Sequence, residues 1–101
     1  VKITGVETIY LRQKQVKKQC DSGQDALIVR VTTDAGITGI GEVDSSPLAV
    51  KGVIEGPFSH TTTTGLREVV LGEDPFETEH LWHKMYRANI YAGRRGIGIH
   101  A

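Results

Sequence analysis

ALIVRVTTDAGITGIGEV, residues 26–43, decides the fold. In its first half Leu27, Val29 and Val31 fall on one side and Ile28, Arg30 and Thr32 on the other. That is the two-residue period of a strand with one face buried. Asp34-Ala35-Gly36 fits a three-residue hairpin loop in which Gly36 supplies the left-handed residue. ITGIGEV, residues 37–43, then returns as an antiparallel partner. Gly39 and Gly41 alternate on one face of it, a pattern expected where a backbone or bulky group packs closely. The polar loop Asp44-Ser45-Ser46-Pro47 follows directly, so the hairpin delivers that loop to a fixed place.

Upstream, VKITGVETIYLR, residues 1–12, is rich in β-branched residues and reads as a first strand with a slip or bulge near Gly5. Between the two strands lies RQKQVKKQCDSGQD, residues 12–25, a polar loop longer than a small domain usually carries without a functional reason. Downstream, Ser46 is expected to cap a helix, LAVKGVIEG, with Pro47 at its first position and Gly56-Pro57 at its end. The threonine run in SHTTTTG forms helix poorly, which starts the next helix at about Thr63. Leu66, Val69 and Val70 give that helix its apolar face, and Gly72 its stop. EDPFETEHLWHKMYRANIYAG, residues 73–93, carries the strongest helix signal. Asp74 caps, Pro75 takes the first helical position, Glu77 completes a capping box and Gly93 closes. Leu81, Met85, Ala88 and Ala92 mark its apolar stripe, widened by Trp82, Tyr86 and Asn89. Strands first and helices after is an α+β order. The expected fold is a three-stranded antiparallel meander followed by three to four helices packed on one face, in one domain spanning 1–101.

Charge and composition exclude several functions. The 12 Lys+Arg balance the 12 Asp+Glu, and the basic clusters KQVKK and GRRG are too small for a nucleic-acid or anionic-membrane surface. Cys20 is the single cysteine, so no internal disulfide can form, and it reads as an ordinary thiol at a loop edge near Lys17 and Lys18. No apolar run reaches the ~18 residues of a membrane span, and the expected location is cytoplasmic. HLWH sets His80 and His83 three apart on one helical face, but a zinc site needs further ligands, and His60 and His100 lie far along the chain. GRRGIG has the glycines of a phosphate loop but follows a helix instead of a strand, so Arg94 and Arg95 read as subunit or domain contacts before a bidentate carboxylate clamp, which they could also form. Asp21, Asp25, Asp34, Glu42 and Asp44 are strung along loops and strand ends without a matched acid pair or triad. No catalytic residue and no metal ligand is expected in this chain. It stops inside the apolar run GIGIHA without an end signal, and so reads as a piece of a longer protein.

The run ALIVRVTTDAGITGIGE with its polar loop, and later LGEDPFETEHLWHKMYR, resemble in order and spacing the N-terminal capping domain of the enolase superfamily. Within it the resemblance is to the mandelate racemase/muconate lactonizing enzyme-like proteins, whose first strand VKITGVETIYL also fits. The resemblance implies a catalytic (β/α) barrel of about 250 residues, expected to follow and absent from this chain. Lysine or histidine bases there abstract a proton α to a carboxylate, and acidic residues hold Mg²⁺. GIGIHA would begin the helix leading into that barrel. It implies too that two loops, here residues 12–25 and 44–48, close over the barrel mouth as a lid. Lys14, Gln24, Asp44, Ser45 and Ser46 are the expected substrate-capping residues. Expected partners are the chain's own C-terminal barrel domain, a small carboxylate substrate and further copies in a homo-oligomer. Polar lids suit a hydroxylated substrate, which favours an acid-sugar dehydratase over a racemase/epimerase or cycloisomerase, with the 101-residue chain inactive alone. The alternative of another class is a non-catalytic protein-binding α+β module, using its sheet edge or the Trp82/Met85/Tyr86 stripe. A self-sufficient module keeps that stripe covered, whereas a capping domain leaves a sticky face.

Overall fold

A computed structural model of the chain describes residues 1–19, 23–60, 62–92 and 95–101. Strands β1 (Ile3–Arg12), β2 (Asp25–Thr33) and β3 (Thr38–Val43) form an antiparallel sheet in the order β1-β2-β3. Gly36 turns the hairpin with φ of 76°, and the Thr33 backbone N–H donates to Ile37 O at 3.1 Å. The bulge at the start of β1 is present: Ile3 pairs with Thr33 while Gly5 pairs with Thr32. A Cβ on Gly5 would stand 2.7 Å from the Thr32 hydroxyl oxygen, so a side chain there would displace that hydroxyl.

Four helices follow, α1 (Pro47–Glu55), α2 (Leu66–Val70), α3 (Thr78–Ala88) and α4 (Ile97–His100), with a 3₁₀ turn at Ile90–Ala92. α1, α2 and α3 supply the residues that cover one sheet face. Leu27, with no exposed surface, packs with Val50 and Ile54 of α1 and Leu66 of α2. A second cluster joins Ile3 to Val69, Val70, Leu81 and Ala88, and Val6 and Met85 touch both. The strand-then-helix order is therefore the α+β meander the sequence predicts. The bend after α2 closes onto the first strand: Ile3 N donates to Glu73 O at 2.9 Å and Gly72 N to Ile3 O at 2.8 Å. Gly72 makes this possible with φ of 83°. Between α1 and α2 the backbones of Gly56 and Gly65 touch so closely that a Cβ on Gly65 would lie 2.0 Å from Gly56 O.

Several boundaries differ from expectation. Ser46 does not cap α1 with its side chain; it sits in the left-handed region at φ 52°, and its carbonyl accepts from Ala49 N and Val50 N. α2 begins at Leu66, not near Thr63, because the threonine segment is spent on a bridge from His60 to Thr63 and on Thr64 donating to His60 O. Asp74 does not cap α3. Its carboxylate accepts from Phe76 N at 2.9 Å, a local turn that competes with a helical start and delays α3 to Thr78. α3 ends at Ala88 instead of reaching Gly93, which lies outside the described residues. Gly39 and Gly41 pair with Val31 and Val29 on the helix-facing side, yet a Cβ on either would meet nothing within 4 Å. No described residue makes the close approach expected there.

Candidate functional site: two loops at one end of the sheet

Alternating strand direction brings the two polar loops together. Arg12 pairs with Asp25 and Leu27 with Val43, so β1 ends, β2 begins and β3 ends at the same end of the sheet. The first loop, residues 12–25, and the second, residues 44–48, leave side by side. They meet at Gly23, where a Cβ would stand 2.9 Å from Asp44 Oδ1. A side chain at 23 would push the Asp44 carboxylate aside.

The root of the first loop is held by hydrogen bonds. Gln13 N donates to Gln24 O at 2.9 Å, one rung beyond the last strand pair. The Gln24 side chain bonds Lys17 in both directions, Oε1 accepting from Lys17 N at 2.7 Å and Nε2 donating to Lys17 O at 2.8 Å. Tyr10 donates its hydroxyl to Asp25 at 2.8 Å, and that bond to a carboxylate raises the tyrosine pKa above 10.0. Between this root and the start of α1 lies an open cleft of about 440 Å³, with Arg12, Val16, Gln24 and Leu48 on its walls.

In the second loop Asp44, Ser45 and Ser46 are exposed and Pro47 is buried. Ser46 is the only non-glycine residue of positive φ among the described residues. Non-glycine residues held there concentrate at ligand-contacting sites. Of the expected substrate-capping residues, Lys14, Asp44, Ser45 and Ser46 are therefore solvent-facing at this end of the sheet. Gln24 shares their location, but its amide is committed to the loop's own backbone.

A second polar cluster, beneath the sheet, escaped the sequence reading. Glu55 Oε1 accepts from the Thr8 hydroxyl, from Lys51 Nζ at 3.0 Å and from Arg67 Nη2 at 3.0 Å. Arg67 also donates Nε–H to Val6 O at 2.8 Å, so the group ties β1, α1 and α2 together. The Thr8 hydroxyl, then Lys51 and Arg67, hold the Glu55 carboxyl below its usual pKa. Only the Lys51–Glu55 spacing of four signals this cluster in sequence. Glu73 is similarly bonded to Lys84, which lowers its pKa, and stands 3.6 Å from His80. His83 lies edge-on to Trp82 at 5.2 Å. Among the described residues no three His, Cys, Asp or Glu side chains gather to hold a metal. Cys20, Asp21, Gly93 and Arg94 lie outside the described residues. Among the described residues no helix is long and apolar enough to cross a membrane.

Apolar surface is left open. Trp82 stacks on Tyr86 at 5.3 Å yet is 48% exposed, and Phe58, Phe76 and Tyr91 are more exposed still. A groove of about 310 Å³ also opens between sheet and helices over Val29, Val31, Ile54 and Met85.

The family model for the mandelate racemase / muconate lactonizing enzyme, N-terminal domain, matches residues 4–100. No curated protein matches the chain significantly. Among solved structures it is similar to the 3,6-anhydro-D-galactonate cycloisomerase from Zobellia galactanivorans, with a TM-score of 0.74 and 26% identity over 96% of this chain and 24% of that one. A racemase from Streptomyces coelicolor A3(2) with bound magnesium gives 0.71 and 26%, over 95% of this chain and 27% of that one. A protein from Mesorhizobium loti, provisionally described as a dehydratase, gives 0.70 and 31%, over 98% of this chain and 23% of that one. The chain spans about a quarter of the length of these proteins. By its strand–hairpin–helix order and a match from residue 4 to residue 100, the chain belongs to the mandelate racemase / muconate lactonizing enzyme family, as its N-terminal domain.

Proposed function

We propose that the chain is the lid and specificity domain of a larger enzyme that abstracts a proton α to a carboxylate, and that this enzyme is an acid-sugar dehydratase. The observation that carries the reading is the meeting of two polar loops at one end of the sheet, closed together at Gly23 and Asp44. Lys14, Asp44, Ser45 and Ser46 there offer an ammonium, a carboxylate and two hydroxyls to solvent. These groups suit the hydroxyls and distal polar end of a sugar acid, and they can shield a reacting centre from water. Support also comes from likeness to a cycloisomerase named for a sugar acid and to a protein provisionally described as a dehydratase.

In this reading the proton-abstracting bases belong to a C-terminal barrel, the chain's principal partner. Magnesium would be held there too, a reading supported by a similar racemase with bound magnesium. Bound magnesium supplies stabilisation of the enediolate charge. The exposed Trp82, Phe58 and Phe76 favour a domain built to be covered over a self-sufficient binding module. Further copies in a homo-oligomer would share in that cover.

The test is to express the full-length product and assay a panel of sugar acids for loss of water to the keto acid. Lys14→Ala and Asp44→Ala should raise KM by about tenfold, the loss of one charge-assisted bond, with a smaller change in kcat. Racemisation or cycloisomerisation without dehydration would replace the dehydratase assignment. Unchanged kcat/KM in both variants would remove the lid reading. The cycloisomerase likeness makes intramolecular ring closure the second activity to assay.

A further inference from the structure

We propose that Gln24 is a positioning residue that splints the 14–17 segment into a preset lid finger; the functional half of this rests on the lid reading above. Gln24 occupies the position after the last rung of the β1–β2 ladder, where its backbone carbonyl still accepts from Gln13 N at 2.9 Å. Its side chain then does what a further strand residue would do. Oε1 takes the Lys17 N–H at 2.7 Å and Nε2 gives to the Lys17 carbonyl at 2.8 Å.

A carboxamide is the one side-chain group with an acceptor and a donor side by side in the geometry of a peptide unit, so it can replace a strand partner at both atoms. With Gln13 and Lys17 both fixed to Gln24, the intervening Lys14, Gln15 and Val16 are held at both ends. The loop thus enters the encounter with substrate partly ordered, which lowers the entropy lost on closure. Lys14 is the exposed cation in that splinted stretch. Gln24 does not need to touch substrate to matter for affinity.

The side-chain chemistry dictates the test. Gln24→Glu keeps size and shape but, ionised, loses the donor and sets a carboxylate oxygen against the Lys17 carbonyl. When protonated it regains both roles. Arg12, Asp25, Glu42 and Asp44 are the charges lining the surroundings of Gln24, with Lys17 across the bond, and all are present equally in wild type and variant. Hydrogen exchange of the Lys17 amide, expressed as protection over the intrinsic rate, is measured in the full-length product without substrate.

Wild type should show protection at pH 7 and at pH 3.5. Gln24→Glu should lose about five- to tenfold of it at pH 7, the loss of one hydrogen bond, and recover at pH 3.5. Gln24→Leu should lose it at both. Equal Lys17 protection in all three proteins, with the rest of the domain unchanged, overturns the splint. KM is then compared with kcat at pH 7. A raised KM with kcat held supports splint and lid together. Lost protection with KM unchanged leaves the splint standing and rejects the lid reading, so the two failures are told apart.

Discussion

Replacing Glu55 by glutamine tests how much of the domain's stability lies in one carboxylate. The side chains of Lys51, Glu55 and Arg67 are 33%, 30% and 32% exposed, so the group is neither a surface ion pair nor a buried one. Exposed pairs contribute about 0.2–1 kcal/mol, and breaking a buried pair costs about 3–5 kcal/mol. Glu55→Gln leaves the two cations facing each other over a neutral amide but keeps some hydrogen bonding to Thr8. We take about 2 kcal/mol, between the two limits. With an unfolding entropy of about 2.1 cal/mol/K per residue over this chain, the melting temperature falls by roughly 9–10 °C. The pH dependence has a fixed sign. The folded Glu55 pKa lies below its ordinary 4.5, so its contribution is complete above that value and fades as pH falls through the folded pKa. Thermal melts followed by circular dichroism at pH 7, 5 and 3 should therefore show a gap between wild type and variant that closes in acid. A gap under about 2 °C at pH 7, well short of the roughly 4–5 °C per kcal/mol expected for this size, is incompatible with a stabilising Glu55 cluster. So is a gap that persists unchanged at pH 3.

The other predictions use the same melts unless stated. Gly65→Ala should destabilise by at least about 1–3 kcal/mol, the range for overpacking, because its Cβ would meet backbone atoms of Gly56 that cannot rotate away. A variant within 0.5 °C of wild type would show the two backbones to be farther apart than described. Leu27→Ala removes the side chain with no exposed surface at the centre of its cluster and should lose about 2–5 kcal/mol; a loss below 1 kcal/mol would mean that α1 and α2 collapse onto the gap. Trp82→Ser should cut self-association of the 101-residue chain in sedimentation, since Trp82 is 48% exposed beside Tyr86. Equal sedimentation of both would place the sticky surface elsewhere.

What was legible in the sequence followed from periods and from residues with few choices. Leu27, Val29 and Val31 alternate, Gly36 can turn left-handed, and Leu66, Val69 and Val70 share a helical face, so sheet, hairpin and helix faces came through. Caps fared worse because one short polar side chain has rival partners. Asp74 bonds two residues on, and Ser46 uses its carbonyl instead of its hydroxyl. Of the loops, their common placement came from the family resemblance, but the Gln24–Lys17 clamp joins residues seven apart in sequence, a pairing that no local rule fixes. Glu55 shows the same limit. Lys51 is one helical turn away and visible, whereas Thr8 is 47 residues distant and enters only once β1 lies under α1.

The closure of residues 72 and 73 onto Ile3 has a bearing on how the domain is made. The hairpin and the pairing of β1 with β2 involve nothing beyond Val43, so the sheet can form early in synthesis. The cluster around Ile3 needs Val69, Val70, Leu81 and Ala88, and it waits for about 45 further residues, roughly 2–9 s at about 5–20 residues per second. During that interval the first strand of the nascent chain is paired along one edge, and its inner face is left bare around Ile3 after α1 has been made. A chaperone that recognises apolar strands has its opening there, and the Gly72 bend is the latch that begins to shut it.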